Sequence, residues 1–303
     1  MTININIISG FLGVGKTTLL RKIIPNIKGK VVLIENEFGD IGIDGDLIDS
    51  ELPIREIYSG CICCTLVHDF KKAIEELAIK YKPDHILIEP SGVGSLSDIT
   101  KICKKIRETS NIDIKINNLI TIVDIKGFNN YIEDFGGFYL DQIENANIIF
   151  LSHLGGVGNR ELEEVVSKIR LNNKEAFILK EDWYSYNGEK IIEMLNDIKK
   201  SPVQFKGKYS LETANKVFSS FSIDNPRTFK EKEIKDTLND LIDLDYGLVL
   251  RAKGILNLDN NKVIHFDFTP QHYDWEYIEK TSETKVIVIG SDLKNEKISR
   301  CFQ

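Results

Sequence analysis

Gly10-Phe11-Leu12-Gly13-Val14-Gly15-Lys16-Thr17-Thr18 follows a short apolar run, Ile3 to Ile8, and opens a helical stretch from Lys16 to about Asn26. Its first eight residues fit the spacing G-x-x-x-x-G-K-[ST]. Glycines let backbone N–H groups turn inward around an anion, and a helix starting there adds its positive end. The loop is therefore expected to cradle the phosphates of a nucleoside triphosphate through Gly10, Gly13, Val14, Gly15 and Thr18. Lys16 is expected to reach the β and γ phosphates, and the Thr17 hydroxyl to hold Mg2+.

Outward from this loop, strands alternate with helices. Val31–Ile34, His85–Ile88, Leu119–Val123, Ala146–Leu151 and Ala176–Leu179 read as short apolar strands. Lys71–Tyr81, Glu161–Leu171 and Gly188–Ile198 read as helices. Short apolar runs separated by helical patterns predict an α/β domain, a mostly parallel sheet with helices on both faces. In such sheets ligands gather at the carboxyl ends of the strands. This P-loop domain is assigned residues 1–200, and the polar, proline-containing stretch 201–213 a linker. Residues 214–303 carry one central helix, several strands and a closing helix, which predicts a smaller α+β domain. That domain offers no catalytic constellation. Its His272, Tyr273 and Trp275 cluster is expected in the core or at its rim, with a partner patch as the alternative.

Ile86-Leu-Ile88-Glu89-Pro-Ser-Gly92 is an apolar strand ending in a carboxylate. Glu89 is placed to reach the Mg2+ shell as the strand-end acid of P-loop proteins does. Gly92 is placed to bring a backbone N–H near the γ phosphate. Lys16, Thr17 and Glu89 are thus the catalytic candidates. Between the two motifs lies Gly60-Cys61-Ile62-Cys63-Cys64. Thiolates at this density suit a soft or borderline cation such as zinc, copper(I) or cobalt. Buried small hydrophobes and a redox dithiol are the competing readings. Glu35-Asn-Glu37-Phe-Gly39-Asp40 follows the second strand, where a switch segment belongs, with carboxylates for Mg2+ or for the cysteine metal.

Composition excludes other classes. In a chain of 303 residues the formal charge is −7, against the basic surface that nucleic acid rewards. No apolar run approaches a membrane span, and the amino terminus lacks the pattern of a secretory leader. Five cysteines, three of them crowded together, point to reduced thiols in the cytoplasm rather than a disulfide scaffold.

Taken together, GFLGVGKTT, ENEFGDIGID, GCICC and EPSG resemble the P-loop GTPases that assist assembly of metal centres, and within them the CobW group of metal chaperones. Tyr246-Gly-Leu-Val-Leu-Arg251-Ala-Lys253-Gly254 and Val286-Ile-Val-Ile-Gly-Ser-Asp292 resemble that group's carboxyl-terminal domain. The resemblance implies GTP (with ATP left open) and Mg2+ as ligands, slow hydrolysis, and a transition metal, Zn2+ or Co2+, held by Cys61, Cys63 and Cys64. It implies Glu37 and Asp40 as further metal or switch carboxylates, and a client metalloprotein or metal-cofactor enzyme as partner; a homodimer stays open. One departure stands out. The family follows its next strand with Asn or Thr, Lys, any residue and Asp, which reads guanine; here Ser152-His153-Leu154-Gly155 stands there. Ser152 and His153 are therefore the candidates beside the base. A nucleotide-gated sensor or scaffold with negligible turnover and a P-loop small-molecule kinase are the rival functions.

Overall fold

The computed structural model describes residues 2–38, 54–59, 64–198, 218–270, 272–279, 281 and 284–303, and the side chains of all of these except 36–38, 54–59 and 64–69. They form two compact units, one around a seven-stranded sheet and one around a five-stranded sheet.

The first unit runs β1 (Ile3–Gly10), α1 (Lys16–Ile23), β2 (Val31–Phe38), β3 (Ile54–Ser59), α2 (Cys64–Tyr81), β4 (His85–Glu89) and α3 (Leu96–Thr109). It continues through β5 (Ile114–Asp124), α4 (Phe128–Glu144), β6 (Ile148–Ser152), α5 (Asn159–Asn172), β7 (Phe177–Leu179) and α6 (Gly188–Asp197). The strand order is β3-β2-β4-β1-β5-β6-β7, and the pairs from β2 to β7 are parallel. Ile5, Ile7, Val32, Ile34, Ile86, Ile88, Ile120 and Ile122 are almost completely buried, as strands covered on both faces require. α1 carries the chain from β1 toward one edge, and α3 carries it from β4 toward the other. Right-handed crossovers put these two helices on opposite faces. β1 lies where the direction of winding reverses, and the phosphate loop leaves from its carboxyl end.

Local sequence explains elements that lie outside the expected set. α3 starts at Ser95, whose hydroxyl accepts from the Asp98 N–H, and buries Leu96, Ile99, Ile102, Cys103 and Ile106 at helical spacing. α4 buries Phe128, Tyr131, Phe135, Phe138 and Tyr139 across a break at Gly136 (φ 19°, ψ −85°). β2 extends to Phe38, beyond the expected end at Ile34, so Glu35 and Glu37 belong to a strand rather than to the following loop. α1 stops at Ile23, and Ile24–Asn26 continues as a 3-10 turn around Pro25.

The second unit runs β8 (Ser219–Asp224), α7 (Glu231–Asp240), β9 (Leu248–Asn257), β10 (Val263–Thr269), β11 (His272–Ile278), β12 (Lys285–Ser291) and α8 (Asn295–Phe302). Its strands are antiparallel in the order β11-β10-β9-β12-β8, the α+β arrangement expected. Phe229, Ile234, Leu238, Phe266 and Phe302 centre its core. Tyr273 and Trp275 stack 6.2 Å apart on edge strand β11 and pack against that core, while His272 is exposed. Among the described residues no helix is long and apolar enough to cross a membrane.

Candidate nucleotide site

The loop between β1 and α1 depends on glycine. Gly10, Gly13 and Gly15 have φ of 141°, 70° and 102°, in the region that favours glycine. A Cβ at Gly10 would stand 2.6 Å from the Ile122 carbonyl oxygen of β5, and one at Gly15 would stand 2.3 Å from the Tyr184 hydroxyl. Phe11 anchors the loop from below, its ring 4.5 Å from Tyr131 and 5.2 Å from Phe135 of α4. Val14 is buried, and Thr18 is exposed on α1.

Lys16 is buried, with its ammonium donating to the Phe11 carbonyl at 3.0 Å, so its charge lies along the loop itself. Thr17 donates its hydroxyl to Glu89, at 3.0 Å from Oε1 and 3.3 Å from Oε2. Glu35 ends up next to Glu89, because the two are register partners on β2 and β4, and both are buried. A hydroxyl and a carboxylate in mutual contact, with a second carboxylate on the neighbouring strand, form an all-oxygen donor set. That chemistry fits a hard cation such as Mg2+. Thr17 and Glu89 would hold it.

Gly92 lies against the phosphate loop, since a Cβ there would come within 2.7 Å of the Leu12 backbone nitrogen. Gln142 of α4 fixes this second loop by donating to the carbonyls of Gly92 and Gly94 at 2.9 and 3.0 Å. Asp141 beside it accepts from the Ser95 hydroxyl and the Ser97 N–H at 2.9 and 3.0 Å. Burial, only partly offset by these hydrogen bonds, raises the Asp141 carboxyl above the ordinary range.

Ser152 is buried at the end of β6, and His153 after it adopts a left-handed φ of 58°. His153 Nδ1 stands 3.1 Å from Oδ1 of Asp124, the buried carboxylate that ends β5 opposite Ser152. Asp124 escaped the sequence reading, although it closes an apolar run (Leu119–Val123) just as Glu89 closes its own. Tyr184 also escaped it. This residue lies in the turn after β7, donates to the Val14 carbonyl at 3.2 Å and stacks on Trp183 at 4.0 Å. Lys22 of α1 holds the same turn through the carbonyls of Tyr184 and Tyr186, each at 2.9 Å. Burial, followed by the charges of Asp124 and Asp182, pushes the Tyr184 phenol up to about 12.

The structure thus brings Gly10, Gly13, Val14, Gly15, Lys16, Thr17, Glu89 and Gly92 together at one edge of the sheet, with Ser152 and His153 at the end of β6 on that edge. Cys61, Cys63 and Asp40 lie outside the described residues. Cys64 opens α2 and Glu37 lies in β2, both with side chains outside the description.

Residues 4–180 match the CobW/HypB/UreG nucleotide-binding domain, and residues 218–303 match the cobalamin synthesis protein cobW C-terminal domain. The chain is 45% identical over 97 residues to a zinc chaperone CobW of Sinorhizobium sp, covering 29% of this chain and 27% of that protein. It is 24% identical over 326 residues to the zinc chaperone YjiA of Escherichia coli, covering 99% of this chain and 98% of that one. It aligns with the crystal structure of Zn(II)-bound YjiA GTPase from E. coli at 20% identity and a TM-score of 0.45, over 100% of this chain and 98% of that one. Several curated relatives are spanned only in part, from 27% to 44% of their length. With a glycine cradle, a buried lysine and a threonine–glutamate pair at the carboxyl edge of a parallel sheet, and with both domain matches in order, the chain belongs to the CobW/HypB/UreG family.

Proposed function

We propose that this protein is a nucleotide-dependent metal chaperone: it binds GTP with Mg2+, hydrolyses it slowly, and hands a transition metal held by Cys61, Cys63 and Cys64 to a client metalloprotein. The observation that carries the nucleotide half is the Thr17–Glu89 contact beside the buried Lys16 in a loop that only glycines can form. The C-x-C-C cluster, the family membership and the zinc chaperones among the relatives support the metal half.

In this reading the β and γ phosphates lie against the loop N–H groups, and the Lys16 ammonium meets the charge on the β–γ bridge. Mg2+ would supply neutralisation of the β and γ oxygens. Water attacks the γ phosphorus, the bond to the bridging oxygen breaks, and the nucleoside diphosphate and inorganic phosphate leave. Loss of the γ phosphate would relax the segments 38–46 and 90–97, which flank the cysteines in sequence, and loosen the metal site. Zinc is the first candidate cargo and cobalt the second; the reduced thiols suit the cytoplasm. The division into residues 1–200 and 214–303 with a linker at 201–213 belongs to the same proposal.

Coupling requires that nucleotide and metal change each other's affinity by the same factor. Zinc or cobalt titrated with and without a non-hydrolysable triphosphate reads that factor directly. Equal metal affinities in the two states would defeat the proposal. A second reading, a sensor that holds metal but hardly turns over, draws on Ser152-His153-Leu154-Gly155, where the base-reading residues are replaced and His153 is engaged by Asp124. Phosphate release measured with client present, using GTP and ATP side by side, separates the two.

A further inference from the structure

The phosphate loop stands at the middle of the sheet, and its two sides differ. On the β4 side lie Glu89, bonded to Thr17, and the loop of Gly92, which lies against Leu12. These are the groups suited to Mg2+ and to the γ phosphate. On the other side lie the carboxyl ends of β5, β6 and β7. Three phosphates form a linear chain, so a nucleotide whose γ end is held on the β4 side turns its nucleoside toward β5, β6 and β7.

An aromatic column stands on that side. Trp183, fully buried, packs on Phe150 of β6 at 6.0 Å, and Tyr184 lies on Trp183 at 4.0 Å with the ring planes 21° apart. Trp183 covers one face of Tyr184, so the exposure that this half-buried ring keeps belongs to its other face and its rim. The ring is held in place from three directions. The Tyr184 N–H donates to the Asp182 carboxylate at 3.1 Å, and its carbonyl accepts from Lys22 of α1 at 2.9 Å. Its hydroxyl donates to the Val14 carbonyl of the phosphate loop at 3.2 Å. A flat ring immobilised before binding loses little entropy when a second flat ring settles on it.

The hydrogen-bonding edge of a base has less to meet there. Gly155 carries no carboxylate at the position where the family reads guanine. The nearby Asp124 is only 2% exposed, and it already accepts from the Lys126 N–H at 2.9 Å and lies 3.1 Å from His153. We propose, resting on the nucleotide reading above, that Tyr184 is the platform on which the base of the bound triphosphate stacks, and that this contact carries most of the base's share of binding. A ring face meets the π system of a base and not its edge, so guanine and adenine gain alike. The larger purines gain more than pyrimidines, which makes purine nucleoside triphosphates the substrate class.

The test uses the full chain and calorimetric titration with Mg2+ and three probes: GTP, ATP and inorganic tripolyphosphate, which has no base. Tyr184→Leu removes the ring and should weaken GTP and ATP each by about tenfold, the size of one base–aromatic stack, while tripolyphosphate stays within about twofold. Tyr184→Phe, the conservative variant, loses the same bond to Val14 but keeps the ring, and should restore GTP and ATP to within about threefold of wild type. Equal losses of GTP and tripolyphosphate in Tyr184→Leu overturn the proposal, because the ring then only supports the loop. A loss in Tyr184→Phe as large as in Tyr184→Leu overturns it too, and so does a loss confined to GTP. In the unsubstituted protein ATP should bind severalfold more tightly than CTP; equal affinities overturn the platform without any variant. Lys16→Ala should weaken all three probes. If it weakens none, the nucleotide reading fails, whereas a Lys16 effect with no Tyr184 effect sinks the platform alone.

Discussion

Gly15→Ala is the substitution whose outcome the structure specifies most closely. Gly15 caps α1 with φ 102° and ψ 26°, and an alanine Cβ there would lie 2.3 Å from the Tyr184 hydroxyl and 3.2 Å from its ring carbon Cζ. Two costs arise. Holding alanine in that backbone conformation costs about 1–3 kcal/mol. Moving Tyr184 out of the way breaks its hydrogen bond to the Val14 carbonyl, about 0.5–1.5 kcal/mol. It also disturbs the stack with Trp183, about 0.5–1.5 kcal/mol more. The sum centres near 4 kcal/mol, which for a unit of this size lowers the melting temperature by about 10 °C. A double-mutant cycle separates the two costs. In a Tyr184→Ala background the clash is gone and only the backbone strain remains, so Gly15→Ala should cost about 1–3 kcal/mol less there than in the wild type. Denaturant unfolding of the four proteins gives that difference. If Gly15→Ala is equally destabilising in both backgrounds, Tyr184 does not close over the phosphate loop and the argument fails.

Glu89→Gln keeps an oxygen for the Thr17 hydroxyl but removes the charge, so unfolding stability should fall by only about 1 kcal/mol. The Mg2+ dependence of nucleotide binding should shift at least tenfold to higher Mg2+, read by titration with a fluorescent nucleotide; an unchanged dependence would remove Glu89 from the cation shell. Gln142→Ala leaves the carbonyls of Gly92 and Gly94 without their donor, at a cost of about 1–3 kcal/mol, and should slow phosphate release more than it weakens nucleotide binding. Equal effects on both would mean that Gln142 only supports the fold. Tyr184 predicts an alkaline signature. Its folded phenol titrates near 12 against an unfolded value near 10, so its share of stability is full below pH 10 and is lost as pH rises from about 10 to 12. Stability curves of wild type and Tyr184→Phe should therefore converge across that window; a constant gap would show that the phenol is not shielded.

The phosphate loop was readable because its chemistry is contiguous: glycines that need positive φ, a lysine and a hydroxyl lie within one turn and the start of a helix. Glu89 was readable because it closes an apolar run. Asp124 offers the same signal at the end of β5, and its partner His153 was known only as an odd residue in a strand-end motif. α4 hid behind Gly136 and Gly137, which interrupt an otherwise regular spacing of Phe128, Tyr131, Phe135, Tyr139 and Ile143. Tyr273 and Trp275 lie at the rim of the core, as expected, but β11 itself went unread, although their alternation with Asp274 and Glu276 is how an edge strand over a core is written. Tyr184 had no such trace. It reaches Val14 across 170 positions of sequence, and nothing local to either residue announces the contact. The one-residue slip in register between β1 and β5 was equally silent, because nothing in either strand alone announces that Asn6 faces Asn118.

Three buried carboxylates lie along one rim, Glu35 and Glu89 on the adjacent strands β2 and β4 and Asp124 on β5 beyond β1, and the buried Lys16 opens α1 at the same edge. Such a rim repels a bare polyanion before any contact is made. In the proposed function the rim favours one whose charge a divalent ion has already partly cancelled, so occupancy would follow the product of two concentrations. A fall in free magnesium would then empty the site even at constant nucleotide supply.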